Sequence, residues 1–271
     1  MITIPEFKDL LKKHEWLIAN KQAMLAQKKA SMKLADAVFA RMLLLDKNEV
    51  EIKAEAVPID ASKITVASII NTTKLFDSHG DVHFDGLWNK SIKETKDNYL
   101  VKQHDFSFDG IITDDVKVST KDFSWKDLGY DYEGKTQALV YTSTIDSSDK
   151  TGMFDRYKSG KVKQHSVGMR YVKLALAIDN KRYPEEQKVW KDYYDQIANK
   201  ADVDKAGYFW AVTEAKNIEG SAVVKGSNFV TPTISVQEVQ DEPEKSTQEP
   251  FYKTLNLSAQ PVGNKFYKLK I

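Results

Sequence analysis

Cysteine is absent from this sequence, and its absence removes several kinds of chemistry at once. Disulfide bonds, thiolate metal sites and a cysteine nucleophile are all excluded. Long apolar runs are also missing, because no stretch approaches the roughly 18–20 residues that a membrane-spanning helix needs. The first residues are polar after Pro5 and lack the apolar segment of a signal peptide. We therefore expect a cytoplasmic protein that does not insert into a membrane.

An excess of charge of one sign is missing too. The 40 lysines and arginines balance 39 aspartates and glutamates, which gives a formal net charge of +1. A dedicated nucleic-acid-binding protein normally has a basic excess on one face, so we expect no specific nucleic-acid partner. The chain also lacks a G-x-G-x-x-G loop, a Walker A loop and an H-E-x-x-H motif. We accordingly expect neither a cofactor nor a metal.

By composition the chain divides into three parts. Residues 1–50 predict an N-terminal helical arm, with a helix from residue 5 to about residue 45, because this stretch is rich in strong helix formers. Residues 51–236 are the predicted core, and residues 237–271 are a polar linker followed by a tail. The arm either docks on the core or pairs with a partner helix, and the sequence leaves both alternatives open.

The predicted core alternates short β-branched segments with helices, which is typical of the α+β class. We expect a β-barrel-like core with covering helices, and a helical insertion at about residues 179–206. The predicted strands are 64–70, 99–104, 110–118, 138–145, 161–176, 208–215 and 219–224, and the predicted helices of the core are 87–96, 149–160 and 184–199.

Histidine is scarce, with five in the chain, and His104 is the one best placed for catalysis. It ends a predicted strand and faces a loop, a position from which a general base can contact a substrate. A purely structural histidine is the alternative reading at this position. His14 is expected at the surface of the arm. His165 is expected to point to the strand face opposite Ser166, which makes it a poor base.

Ser166 is the candidate nucleophile. It lies in the segment Gln164–Met169, where Gly168 permits close approach of another backbone. A serine hydroxyl is barely ionised at neutral pH, so it needs an adjacent base. The segment is not the G-x-S-x-G turn of the α/β-hydrolases.

Acidic and imidazole side chains alternate in one short segment, at Asp77, His79, Asp81, His83 and Asp85. Such residues can ligate a metal, and on a strand all five would share one face. The intervening Ser78 and Gly80 favour a turn, so we expect a solvated loop. A metal-dependent hydrolase that uses His79 and His83 stays open as an alternative.

Four segments, taken in order, resemble the prohead proteases of tailed phages, a family related in fold to the herpesvirus assemblin proteases. Asp77–Ser91 is similar to the family pattern D-x-x-G-D-x-x-x-x-G-A-F-x-x-S, with Leu-Trp in place of Ala-Phe. Val101–Asp105 is similar to the segment with the catalytic histidine. Tyr157–Met169 resembles the helix and strand of the nucleophile, and Val212–Val224 resembles the late strand E-x-x-L-x-E-(V/G)-S-x-V. The resemblance extends from about residue 64 to residue 231.

The resemblance implies an assemblin-type core and a serine endopeptidase. Residue by residue, it makes Ser166 the nucleophile, His104 the general base and Glu219 the third member of the triad. Glu214 is the fallback acid, expected on a neighbouring strand.

The oxyanion hole implied by the same resemblance lies in the loop that contains Ser227 and Asn228, through backbone amides or the Asn228 side chain. The implied substrates are scaffold and capsid proteins, and the enzyme itself, inside an assembling prohead in the cytoplasm of a bacterial host. A homo-oligomer is possible. The alternative is a catalytically inactive head-assembly or scaffold-like protein with the same fold.

Overall fold

A computed structural model describes residues 2–32 and 62–239. All of these residues belong to one structural unit of the chain. The second part of the predicted arm, residues 33–50, and the predicted tail from residue 240 lie outside the described residues. So does the start of the predicted core, residues 51–61.

Helices and strands are interspersed along the described chain, which confirms the α+β class. The helices are α1 (Leu10–Ala30), α2 (Asn89–Glu94), α3 (Met153–Lys158), α4 (Pro184–Tyr193) and α5 (Lys200–Ala206). The strands are β1 (Lys63–Thr72), β2 (Asp81–His83), β3 (Leu100–Lys102), β4 (Ile111–Thr113), β5 (Val116–Ser124), β6 (Lys135–Asp146), β7 (Gln164–Ala177), β8 (Phe209–Val223) and β9 (Thr233–Glu238).

The strands form two sheets. The first is antiparallel and has the order β5-β6-β1-β9. The second is built on β8, with β7 antiparallel along one edge, β2 and β3 parallel along the other edge, and β4 antiparallel to β3. Within the described residues these sheets do not close into a barrel, so the expected barrel-like closure is corrected to two open sheets.

Apolar side chains from both sheets make the main core. Val66 of β1, Leu139 of β6, Met169 of β7 and Val212 of β8 belong to one buried cluster, together with Trp88 before α2. Each is at most 1% exposed. Burial of one such side chain contributes roughly 1.5–3 kcal/mol, so this shared core fixes both sheets together.

The N-terminal helix docks on the second sheet, so for the described part of the arm the docking alternative is the one observed. The helix begins at Leu10, not at residue 5, because the Asp9 carboxylate caps it by accepting from the Leu11 amide at 2.8 Å. Leu17 and Met24 pack in one buried cluster with Trp210 of β8. None of the helices in the described ranges is long and apolar enough to cross a membrane.

Two short helices occupy the expected insertion between β7 and β8. The helix predicted over 184–199 ends at Tyr193, continues as a 3-10 turn over Tyr194–Gln196, and is followed by the unpredicted α5. Trp190 and Tyr193 of this region pack on Phe84 and Phe209. Two other predictions are also corrected, since the strand predicted at 110–118 is two strands, and those at 208–215 and 219–224 are the single strand β8.

Candidate active site

Three of the predicted site residues converge on β8. Along the β7–β8 ladder, Ser166 lies opposite Ser221 and Gly168 lies opposite Glu219. Directly opposed residues of an antiparallel pair point to the same face, and residues two apart along a strand share that face. Ser166 and Glu219 therefore lie on one face of the second sheet, as diagonal neighbours with Cα atoms about 7–8 Å apart.

The third residue, His104, comes from the other side of β8. Strand β3 runs parallel to β8 and places Val101 opposite Ser221. Past the end of β3 the Gln103 amide donates to the Ala222 carbonyl at 2.9 Å, and the His104 amide donates to the Ser221 hydroxyl at 2.8 Å. These bonds turn the chain back over β8, so the imidazole lies above Glu219.

The backbone of this turn is strained. Gln103 and His104 have φ angles of 54° and 58°, in the left-handed region that non-glycine residues rarely adopt. Each such residue costs of order 1–3 kcal/mol, and residues held in this way cluster at functional sites. The Ser221 hydroxyl helps to fix the strained conformation. Sequence reasoning missed this role, because nothing in one chain marks a serine that binds a backbone amide 117 residues away in sequence.

His104 and Glu219 form a buried pair. The His104 Nδ1 and a Glu219 carboxylate oxygen are 2.6 Å apart, and the two side chains are 7% and 1% exposed. Because a carboxylate only accepts, Nδ1 is the donor, and in the neutral ring Nε2 is then the acceptor. This is the tautomer that a general base needs, with a carboxylate fixing the ring orientation.

The other carboxylate oxygen of Glu219, Oε2, is buried and has no hydrogen-bond partner among the described residues. Buried acceptors without a partner are rare in folded proteins. Space for the carboxylate comes from Gly168, since a Cβ atom at this position would overlap Glu219 Oε1. Gly168 was expected to permit close approach of another backbone, but the group that approaches it is the Glu219 side chain.

Ser166 is 5% exposed on β7. Within residues 2–32 and 62–239, no hydrogen bond of its hydroxyl is observed. The sheet therefore brings Ser166 and the His104–Glu219 pair to one face. No hydrogen bond from the Ser166 hydroxyl links it to His104 in this part of the chain.

The loop expected to form the oxyanion hole packs beside this strand. A Cβ at Gly226 would lie 2.8 Å from the His165 carbonyl oxygen, so the loop backbone approaches β7 next to Ser166. The Asn228 amide oxygen accepts from the Thr72 hydroxyl and the Val230 amide, and its amide nitrogen donates to the Thr72 carbonyl. The Asn228 side chain thus anchors the loop to β1.

Ser227, the other residue predicted for the oxyanion hole, is 9% exposed, and its carbonyl accepts from the Ser78 amide at 3.4 Å. With the Asn228 side chain committed to the loop, backbone amides are the better oxyanion donors. The prediction of an oxyanion hole in this loop stays a prediction.

Glu214 lies apart from the His104–Glu219 pair. It is on β8 itself, not on a neighbouring strand as expected, and it forms ion pairs with Lys173 at 2.6 Å and Lys90 at 3.8 Å. The hydrogen bond from Lys173 lowers the pKa of the Glu214 carboxyl. Its contacts with lysines give Glu214 a structural role at the surface.

His165 points to the opposite face, as the sequence predicted. It is fully buried, its Nε2 is 2.9 Å from the Tyr157 hydroxyl, and its Nδ1 is 3.0 Å from the Thr231 carbonyl. Burial lowers the pKa of His165 to about 4. The ring is therefore neutral, donates to Thr231, and does not act at the Ser166 face.

Asp77 and Asp81 are buried and His79 is half-buried, so this segment is less solvated than expected. Potential ligand atoms of Asp77, His79 and Asp81 lie within 4.8 Å of one another. The Asp81 carboxylate, however, accepts from Lys28 of α1 and from the Tyr171 hydroxyl, each at 2.6 Å. A positive charge from the protein itself thus neutralises this carboxylate.

His14 also departs from expectation, since it is 4% exposed. Its Nε2 lies 2.8 Å from the Gly207 carbonyl, and burial lowers the pKa of the ring. Instead of lying at the surface, His14 joins α1 to the end of α5.

Comparison with protein-family models, with curated proteins and with solved structures finds no match for this chain.

Proposed function

We propose that the protein is a serine endopeptidase in which Ser166 is the nucleophile, His104 the general base and Glu219 the acid that orients His104. The observation that supports this most strongly is the 2.6 Å contact between His104 Nδ1 and Glu219, on the sheet face that includes Ser166. A nucleophile, a base and a group that orients the base are the three parts of this chemistry.

In the proposed reaction the Ser166 Oγ forms a bond to the carbonyl carbon of a peptide, and its proton passes to His104 Nε2. The imidazolium is stabilised by Glu219 and then gives the proton to the leaving amine as the C–N bond breaks. Water, deprotonated by His104, hydrolyses the acyl-serine ester and restores the enzyme. Backbone amides of the 226–228 loop are the proposed oxyanion donors.

The proposed substrates are scaffold and capsid proteins of a phage prohead, and the protein itself, in the cytoplasm of a bacterial host. The support for this finer assignment, and for an assemblin-type core, is the order of the four sequence segments. The structure supports the more general proposal of an endopeptidase.

The test compares wild type with Ser166→Ala by intact-mass spectrometry over several hours, alone and with a co-expressed capsid precursor. Ser119→Ala, at an exposed position of β5, is the matched control. We expect wild type and Ser119→Ala to produce the same cleavage products and Ser166→Ala to remain whole. Identical products from all three proteins would exclude Ser166 as the nucleophile.

A second candidate function is an inactive head-assembly or scaffold-like protein. It is favoured by one observation, that no hydrogen bond of the Ser166 hydroxyl is seen among the described residues. If wild type leaves itself and the capsid precursor intact and does not react with a fluorophosphonate probe, this second function is the better account.

A further inference from the structure

A cavity of about 860 Å³ opens next to the turn that contains His104. All three residues of β4 line it, as do Phe106 and Phe108 of the loop that follows His104. Phe106 is two residues beyond His104. At most about 7 Å of backbone therefore separates the proposed base from the lining of the cavity.

The aromatic side chains of this cavity are exposed to an unusual degree. Phe108 is 97% exposed and Phe106 is 50% exposed. Exposed aromatics at the edge of a concave surface are typical of binding sites. Phe106 is fixed by an edge-to-face contact with Tyr99, which also lines the cavity, so the surface is partly preorganised.

The charge of the cavity is negative. Asp114, Asp115, Asp146 and Asp149 line it, against Lys63 as the one basic residue among the described lining. The Asp149 carboxylate is occupied because it caps α3 through the Met153 amide. The Asp146 carboxylate likewise accepts from the Ser148 amide at 2.8 Å, whereas Asp114 and Asp115 are exposed and can face a cationic ligand.

A free strand edge completes the surface. β4 ends the second sheet and, within the described residues, pairs with β3 alone. The Ile111 amide of β4 already donates to the Ser107 carbonyl at 3.1 Å. The other main-chain groups along an edge strand can pair with an extended peptide that adds as a further strand. In such a strand alternate side chains lie on one side, about 7 Å apart.

We propose that this cavity binds an extended peptide segment of a partner polypeptide that alternates apolar residues with lysine or arginine. The apolar side chains contact Phe106 and Phe108, and the cationic ones face Asp114 and Asp115. The proposal rests on the proposed function in one respect, because it makes the peptide the substrate that is presented to His104 and Ser166.

The experiment uses the full-length Ser166→Ala protein, so that binding is measured without cleavage. The probe is a fluorescein-labelled octapeptide of alternating valine and lysine. Its binding is measured by fluorescence anisotropy at low salt. Matched peptides replace every lysine with glutamine or with glutamate. We expect the lysine peptide to bind at least about tenfold more tightly than the glutamine peptide, and the glutamate peptide to bind weakest.

Variants then locate the binding surface. Asp114→Asn combined with Asp115→Asn is expected to weaken the lysine peptide about tenfold or more. Phe108→Ser is expected to weaken all three peptides without changing stability, since its ring is almost fully exposed. Asp122→Asn, an exposed position on β5 away from the cavity lining, is the control and should leave the dissociation constant unchanged.

Equal affinity for the lysine and glutamine peptides, or equal affinity of the double variant and the control, would overturn the proposal. Failure of catalysis is a separate result. If the Ser166→Ala protein binds the lysine peptide while wild type leaves itself and the capsid precursor intact, the cavity is a docking site and the proposed endopeptidase fails.

Discussion

Among single residues, Gly168 is the most constrained position of the candidate site. The Glu219 side chain occupies the volume in which any Cβ at this position would lie. We expect Gly168→Ala to destabilise the fold by about 1–3 kcal/mol, as overpacked sites do, and to displace the carboxylate from His104.

In the proposed enzyme the same substitution should lower kcat by at least about 100-fold, because the imidazole loses its orienting group. Urea unfolding and peptide cleavage measure the two effects. Val172→Ala, at an exposed position of the same strand, is the control. Full activity of Gly168→Ala would show that Glu219 does not orient the base.

His165 makes stability depend on pH. Burial lowers its pKa to about 4 from an ordinary value of 6.5, so between these values the unfolded chain binds a proton that the folded protein does not. The contribution of His165 to the free energy of unfolding is therefore fully present above pH 6.5 and is lost as the pH falls towards 4. The full effect is about 3 kcal/mol, given roughly 1.4 kcal/mol for each pKa unit.

The measurement is urea unfolding of wild type at intervals from pH 7 to pH 4.5, with His165→Gln for comparison. The difference between the two proteins isolates this group from the carboxylates that titrate nearby. An NMR titration of the wild-type ring gives an independent check, and protonation of His165 near pH 6.5 would contradict the prediction.

At the scale of elements, the docking of α1 includes an ion pair with a buried carboxylate of the second sheet. Lys28 is paired with Asp81, which is 1% exposed, and the ammonium group lies 5.6 Å from the centre of the Trp210 ring. Removing the ammonium group takes away a positive charge that balances the buried Asp81 carboxylate. We expect Lys28→Gln to reduce the free energy of unfolding by about 2 kcal/mol.

Lys29→Gln is the matched control for this prediction, because Lys29 is the adjacent lysine of the same helix and is exposed. Urea unfolding at constant pH compares the two variants. Equal stability of both would mean that the ion pair with Asp81 contributes nothing to the docking of α1.

Most elements could be predicted because local patterns decide them. β-branched residues identify β1, and proline with an apolar stripe identifies α4. Predictions failed where tertiary contacts override local signals. The polar Lys216 and Asn217 interrupt the apolar pattern of β8, so the sequence predicted two strands, yet Asn217 lies within the single strand, where its side-chain amide donates to the Tyr141 hydroxyl at 2.6 Å.

In the candidate site, too, some features could be predicted from the sequence and others depend on tertiary contacts. Ser166, His104 and Glu219 could be named from segments that resemble a family, and the sheet brings all three to one face. The left-handed turn at His104 and the Ser221 hydroxyl that fixes it could not be named, because both depend on the parallel pairing of β3 with β8. Contacts between strands so distant in sequence leave no local pattern.

At the scale of the whole molecule, β9 determines whether the first sheet is complete. It pairs with β1 from Ile64 to Ser68 and buries Val236 in the main core. A chain that ends after Val239 keeps these contacts, whereas one that ends after Thr231 loses the whole strand. We expect the shorter chain to be less stable by more than about 3 kcal/mol, from lost burial and lost strand pairing.

Thermal unfolding of the two truncated chains beside the full-length protein measures this difference. If the chain ending after Thr231 unfolds at the same temperature as the chain ending after Val239, the first sheet does not need β9.

The central position of β8 also has a consequence for the timing of synthesis. β3 and β7 lie on opposite edges of β8, yet both are translated before it. When His104 and Ser166 have emerged from the ribosome, β8 has not. The nascent chain therefore lacks the strand that brings these two residues together. In the proposed protease, this order of translation would keep an unfinished chain from cutting its neighbours.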